Sequence, residues 1–266
     1  MLVLLLKVAT VFGFFASPVL THGIVTGIVA NGVYTQGWSL DFYYDIVNGE
    51  SYATTPGWYE DALDSGFIPP SEYQDPNIIC HKDGRNANIS ATVAAGSTVE
   101  FQWTNPWAHN IGPMLTYVAN CNGDCKTSSA SCRREKYDTD ECKQIDKSTL
   151  EFVKIDESGI NFTTQEWAAG VMIANNASWT STVPESLAPG HYVFRHETIA
   201  CHGASTLGGA QNYPFCLNID VTGSGTENPT GTLGVDLYKE TDPGIYFNPY
   251  VTLTNYTIPG PALWTG

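Results

Sequence analysis

The chain has 266 residues and a formal net charge of −15, with 25 glycines and 15 prolines. A chain this acidic is a poor partner for nucleic acid or for an anionic membrane surface. Its turn-forming composition favours short strands over helical bundles, and its length suits one all-β domain with a large core or two small domains.

Residues 1–21 read as a secretory signal. Leu2–Leu6 and Val8–Phe15 are apolar, Lys7 interrupts them, and Ala16-Ser17-Pro18 supplies small residues near a cleavage point. The run is too short and too broken to span a membrane, so a secreted, soluble, extracellular protein is expected. A cut after Thr21 makes His22 the first residue of a 22–266 domain, whereas a cut after Ala16 leaves it internal.

Asn31-Gly32 between apolar runs predicts a hairpin. Residues 38–76 are rich in Tyr, Asp and Pro and read as a long irregular loop, a type that is commonly functional. Val99, Phe101 and Trp103 alternate with polar residues, as a half-buried strand does. A proline-bounded loop from Asn105 to Pro113 follows and displays His109. Strands are also predicted at 150–155, 179–183, 191–196 and 217–221, with a turn at 188–190. The 191–221 stretch contains a small-residue loop, 203–210, and brings His196, His202, Gln211 and Tyr213 into one short return. There is no repeat, no heptad pattern and no linker to a second module. The expectation is a single β-sandwich domain without a separate carbohydrate-binding module.

Seven cysteines in an oxidising compartment should mostly pair. Cys121 and Cys125 close a tight turn, Cys132 and Cys142 bracket a charged insert, and Cys80 with Cys216 would make a long-range bridge. Cys201 is then odd and reads as a buried free thiol. Asn88, Asn161, Asn176 and Asn255 begin Asn-x-Ser/Thr sequons, candidate glycosylation sites. His81, His191 and His196 read as structural: His81 packed by Cys80, His191 on a strand surface, His196 in the core or salt-linked.

An amino-terminal histidine offers one metal both its α-amine, which titrates near ~8, and its ring nitrogen. A second imidazole, here His109, completes three nitrogens, a donor set that favours copper over zinc, calcium or magnesium. Tyr213 could add a weak axial oxygen. His202 and Gln211 would then sit close enough to hydrogen-bond an oxygen co-substrate without being ligands.

Quoted segments run the length of the chain after residue 21. They are His22-Gly, Asp75-Pro-Asn-Ile-Ile-Cys80-His81, Pro106-Trp-Ala-His109 through Gly112-Pro113, and Asn120-Cys-Asn-Gly-Asp-Cys125. Further on come Leu150-Glu-Phe, Leu187-Ala-Pro-Gly190, Arg195-His-Glu, Gly209-Ala-Gln-Asn-Tyr-Pro214 and Ile258-Pro-Gly-Pro261. Together they resemble the fungal lytic polysaccharide monooxygenases of auxiliary activity family 9, formerly glycoside hydrolase family 61. The resemblance implies an immunoglobulin-like or fibronectin-III-like β-sandwich whose long loops form a flat face. It implies one copper per chain, held by His22 (amine and ring) and His109 with Tyr213 axial, and it makes His202 and Gln211 the catalytic pair beside it. Cys80–Cys216 and Cys121–Cys125 match the family's bridges. Tyr250 matches a tyrosine on the binding face, and Tyr43, Tyr44 or Trp58 are candidates to extend that face.

The implied activity is oxidative cleavage, at C1 or C4, of β-1,4-glucan chains: cellulose, or a related β-glucan including hemicellulose. The implied co-substrate is dioxygen or hydrogen peroxide. Electrons would come from ascorbate, small phenols or a secreted cellobiose dehydrogenase, and the protein is expected to be a monomer. Two departures stand out: Cys201 lies where the family has an aliphatic residue, and the Cys132–Cys142 insert is additional. The rival of another class is a non-catalytic, secreted carbohydrate-binding β-sandwich with an idle metal site. A hydrolase would need two paired carboxylates, and no spacing singles out such a pair.

Overall fold

The computed structural model describes residues 22–51, 53–126 and 145–266. The signal-like stretch 1–21 and the insert carrying Cys132 and Cys142 lie outside the described residues. Strands β1 (Val25–Ala30), β2 (Val33–Gln36), β4 (Thr98–Trp103) and β9 (Ser178–Thr182) form one sheet in the order β2-β1-β4-β9. The second sheet has the order β12-β6-β5-β10-β11-β3. Its members are β3 (Ala91–Ala94), β5 (Met114–Asn120), β6 (Glu151–Ser158), β10 (Gly190–Ala200), β11 (Gln211–Thr222) and β12 (Thr232–Leu233). A small hairpin, β7 (Ile160–Asn161) with β8 (Glu166–Trp167), stands apart from both sheets. The expected β-sandwich is therefore what the chain forms.

The larger sheet is buried on both faces, which explains why almost all of β10 is inaccessible. Tyr192, Phe194 and Ala200 of β10, with Phe215, Leu217 and Ile219 of β11, meet the small sheet in the main core. Val193 and Ile199 point the other way, into a second core beneath Trp58, Ile68, Tyr73 and the 234–258 tail. Each large apolar side chain so buried contributes about 1.5–3 kcal/mol. His196 faces the small sheet with its ring stacked on Phe101 at 3.9 Å, a core histidine as expected.

The strands follow the sequence pattern closely. At the β1–β2 turn Asn31 and Gly32 both have positive φ, 51° and 73°, as the hairpin signal requires. The 38–76 stretch is less irregular than its composition suggests. It contains helix α1 (Leu40–Asn48), which Ser39 caps by accepting from the Asp41 amide and which Gly49 ends at φ 75°. Helices α2 (Asn77–Cys80) and α3 (Ala168–Ala174) are also present.

Cys80–Cys216 ties α2 to β11 across 136 residues, and Cys121–Cys125 closes its turn. Cys201 is the free cysteine among the described residues, and it is buried. Beside the long bridge, the Arg195 guanidinium donates to the Ile78 and Ile79 carbonyls, each at 2.9 Å. These contacts satisfy carbonyls that the end of α2 leaves open.

The topology collects loops at one end of the sandwich. β1 and β4 are antiparallel, with Val25 opposite Trp103, so the start of β1 lies beside the loop after β4. β10 and β11 pair until Ala200 opposite Gln211, and the 201–210 loop joins them at that end.

Candidate metal centre

His22 enters just before β1 and is fixed through its neighbours. Thr104 brackets Ile24: the Ile24 amide donates to Thr104 Oγ1 at 3.0 Å, and the Thr104 amide donates to the Ile24 carbonyl at 2.9 Å. A Cβ on Gly23 would come within 2.6 Å of the Thr104 Cβ, so glycine is what lets the two segments meet. His109 rides on the loop after β4. Its carbonyl accepts from Trp107 Nε1 at 2.9 Å, and Trp107 is anchored edge-on against Trp103 at 5.1 Å. Tyr213 and Gln211 are two residues apart on β11 and therefore share a face.

The three expected ligands converge. Ring centroids are 6.0 Å apart for His22 and His109, 6.1 Å for His22 and Tyr213, and 5.9 Å for His109 and Tyr213. A metal–nitrogen bond of ~2 Å plus the ring radius places two imidazoles on opposite sides of one ion with centroids ~6 Å apart. The spacing therefore fits a single ion. Among the described residues no group of three or more His, Cys, Asp or Glu is placed to hold a metal. Two imidazoles and a phenol fall outside that description. Nitrogen-rich donors of this kind suit copper.

The Tyr213 side chain is fully buried, and burial pushes its phenol well above the ordinary value, so it stays protonated. Its hydroxyl lies 3.3 Å from His109 Nε2 and donates to Gln211 Oε1 at 3.0 Å. Because that oxygen is engaged, the Gln211 amide presents its NH₂ as a donor. His202 does not join the three convergent rings. It stacks on His109 with centroids 4.5 Å apart and planes 10° from parallel, and its buried Nδ1 has no hydrogen-bond partner among the described residues. Burial and then the nearby His22 hold its ring below the ordinary histidine range, favouring the neutral form. Tyr250 is 66% exposed, and its hydroxyl donates to the His202 carbonyl at 2.8 Å. Tyr250 thus adjoins the cluster of rings.

A model of auxiliary activity family 9, formerly GH61, matches residues 22–137 and 130–256. The chain belongs to this family. It is 63% identical over 248 residues to the AA9 family lytic polysaccharide monooxygenase D of Botryotinia fuckeliana (strain B05.10), covering 93% of this chain and 94% of that one. It is 50% identical over 256 residues to the AA9 family lytic polysaccharide monooxygenase cel61B of Hypocrea jecorina (strain QM6a), covering 96% of each. The solved structure of Cel61B from Hypocrea jecorina superposes with a TM-score of 0.84 at 50% identity, covering 91% of this chain and all of that one. As an AA9 member the chain is a polysaccharide monooxygenase, and the family implies copper.

Some sequence candidates fall outside the cluster. Trp58 is buried, and its Nε1 donates to Asn218 Oδ1 at 2.7 Å in the second core, so it is no platform for substrate. Tyr43 and Tyr44 contact each other, and Tyr43 also meets Tyr59. His81 is structural, as expected: Lys82 N donates to its Nδ1, leaving Nε2 to donate to the Gly66 carbonyl at 3.1 Å. His191 Nδ1 pairs with Asp220 at 2.6 Å on the strand surface. Asn161, Asn176 and Asn255 are exposed and Asn88 is half-buried.

Two site residues had no assigned role in the sequence. Phe67 meets His22 at 6.0 Å and Tyr213 at 6.1 Å, and Trp107 stands edge-on to both His109 and Tyr213. Phe67 is delivered by a long-range bridge in which Ile68 and Asn212 exchange backbone hydrogen bonds of 2.9 and 3.1 Å. No periodic signal announces such a bridge.

Proposed function

We propose that the chain is secreted and cleaved after Thr21, leaving residues 22–266 as one domain. In this form it acts as a copper-dependent lytic polysaccharide monooxygenase on cellulose or a related β-1,4-glucan. The observation that carries this reading is the near-equilateral arrangement of the His22, His109 and Tyr213 rings, 5.9 to 6.1 Å apart. The start of the family match at His22 supports the cleavage point.

Copper, when bound, supplies one-electron redox chemistry toward dioxygen or hydrogen peroxide, with electrons from an external donor such as ascorbate or a secreted cellobiose dehydrogenase. His22 and His109 would hold the ion through nitrogen, and the freed amine of His22 would add a third donor. Tyr213 would offer a neutral phenol, and Phe67 and Trp107 pack against the rings of this group. Gln211 presents its amide NH₂ to an incoming oxygen, and the neutral His202 ring offers a hydrogen-bonding nitrogen beside it. Tyr250 lays an exposed ring next to this group, where a pyranose can stack on it. The sequons Asn88, Asn161, Asn176 and Asn255 are glycan attachment points on this reading.

The test begins with protein whose first residue is verified as His22 by Edman sequencing. It should bind one Cu(II) per chain and release oxidised oligosaccharides from cellulose only when ascorbate is present. Full copper loading without reductant-dependent products would leave a carbohydrate-binding protein in place of an enzyme.

A further inference from the structure

Helix α3 is apolar on every side: its seven residues, Ala168 to Ala174, carry no polar side chain. A helix of that composition is normally enclosed. Ala168, Ala169 and Met172 are buried in the main core, but Val171 is 44% exposed and Ala174 is exposed as well. With the half-buried Trp179, they line a shallow groove of about 440 Å³ that Asn175, Ser178 and Thr180 complete. Ser178 pairs with Gln102 and Thr180 with Glu100, so the groove follows the edge strand β9 away from the end that gathers His22, His109 and Tyr213. It therefore lies off the face proposed for the polysaccharide.

Asn176, which begins the sequon Asn176-Ala177-Ser178, sits in the chain between the lining residues Asn175 and Ser178. It adopts φ 55°, a left-handed turn that asparagine tolerates, and its side chain is exposed. Asn105 Nδ2 donates to Asn176 Oδ1 at 3.0 Å. That contact leaves Asn176 Nδ2, the atom that takes a sugar, without a partner among the described residues. The Trp179 indole donates to Asp156 Oδ2 at 2.8 Å, which fixes the ring at the groove. N-acetylglucosamine brings C–H groups and an acetamide methyl, which pack on aliphatic and aromatic surface. A second copy of the chain is a poorer cover, because a net charge of −15 opposes self-association.

We propose that this groove binds the chain's own N-glycan, with the first sugars on Asn176 packed over Val171, Ala174 and Trp179. The proposal rests on the reading of Asn176 as an occupied sequon. It gives one of the four sequons a structural role, closing the open side of α3. The helix is in turn tied to the loop that displays His109, because the Ala169 amide donates to the Gly112 carbonyl at 3.1 Å. Glycosylation leaves Asn176 Oδ1 free to keep accepting from Asn105, so the modification and that contact are compatible.

The experiment compares protein beginning at His22 from a glycosylating fungal host with the same chain from bacteria, each as wild type, Asn176→Gln and Val171→Asp. Asn176→Gln lacks the sequon, and Val171→Asp keeps it but spoils the groove. Glycopeptide mass spectrometry reports whether Asn176 carries a glycan, and a thermal melt confirms that each variant folds. Hydrogen exchange of the α3 amides should be about fivefold slower in the glycosylated wild type than in the bacterial one, the effect of withdrawing roughly 40 Å² of apolar surface from water. For each variant the two hosts' proteins should exchange alike, and comparing hosts within one variant cancels the effect of the substitution on stability. An occupied Asn176 without protection of α3, or protection that Val171→Asp leaves unchanged, overturns the docking while the sequon reading stands. A bare Asn176 in the secreted protein overturns both. Protection that persists in Asn176→Gln and grows with protein concentration assigns the cover to a second copy and overturns the proposal.

Discussion

The hydroxyl of Tyr250 donates to the backbone carbonyl of His202 at 2.8 Å, so an exposed ring and the histidine stacked on His109 share one contact. The residue offers two separable groups, an exposed ring that the proposed function gives to the sugar and a hydroxyl that holds the 201–210 loop. Tyr250→Ala removes both, and Tyr250→Phe removes only the hydrogen bond. Binding to insoluble cellulose should weaken about fivefold in Tyr250→Ala, corresponding to loss of about 1 kcal/mol of ring contact. Tyr250→Phe should bind cellulose nearly as wild type. Depletion assays on the two variants check this, and equal loss in both would assign the binding to the hydroxyl.

The sandwich was legible wherever a face repeats. Tyr192, Phe194 and His196 alternate with Val193 and Arg195, and the two sets enter different cores. The cluster of His22, His109 and Tyr213 rings was legible because those residues are chemically unusual together. The parts that sequence missed are placed by contacts between distant segments. Phe67 reaches the site through the Ile68–Asn212 bridge, and Trp58 leaves the face because its indole finds Asn218. Helix α1 left only a short signal, Ser39 before and Gly49 after, inside a stretch dominated by loop composition.

Glu60 makes stability depend on pH. Burial raises its carboxyl from 4.5 to about 7, against the Ala62 amide that donates to it at 2.6 Å and the nearby Lys82. Asp61 and Asp64 add to the rise. Between these two values the folded state holds a proton that the unfolded state has released, so stability falls as pH rises from 4.5 through 7. The full effect is about 3 kcal/mol. His81, close by, acts in the opposite sense: burial lowers it from 6.5 to about 3, so its contribution is complete above 6.5 and is lost as pH falls toward 3. Glu60→Gln removes only the first effect. Its melting temperature should match wild type near pH 4 and exceed it by several degrees at pH 8. A constant difference across that range, in melts at matched ionic strength, would exclude Glu60 as the titrating group.

Cys201 should be chemically silent until the protein unfolds. Burial pushes its thiol up to about 12, and it is inaccessible between Ala200 and His202. A thiolate is the reactive form, so a disulfide-exchange reagent should find no thiol in native protein. In denaturant it should find one. That count also reports on the insert, because an unpaired Cys132 and Cys142 would raise it to three. One reactive thiol in native protein, with a total of one in denaturant, would contradict the burial of Cys201.

The buried pair of Arg195 and Glu197 is the hub of the second core, 2.6 Å apart and fully inaccessible. Glu197 also accepts from Asn212 Nδ2 at 2.7 Å and from the Tyr238 hydroxyl. Asn212 in turn accepts from the Tyr73 hydroxyl at 2.6 Å. Removing one charge leaves the other buried and unpaired, a cost of about 3–5 kcal/mol. Glu197→Gln should therefore lower the melting temperature by about 10 °C in a domain of this size. The double variant Arg195→Met with Glu197→Leu leaves no orphaned charge and should recover much of that loss. Denaturant titrations of the wild type, Arg195→Met, Glu197→Leu and the double variant check the coupling, and purely additive losses would remove it. Asn212 lies between Gln211 and Tyr213, and in the double variant it loses its carboxylate partner. On the proposed copper reading, copper affinity should therefore recover less than stability does, because the charge imbalance is repaired while the strand that carries Tyr213 stays less firmly held.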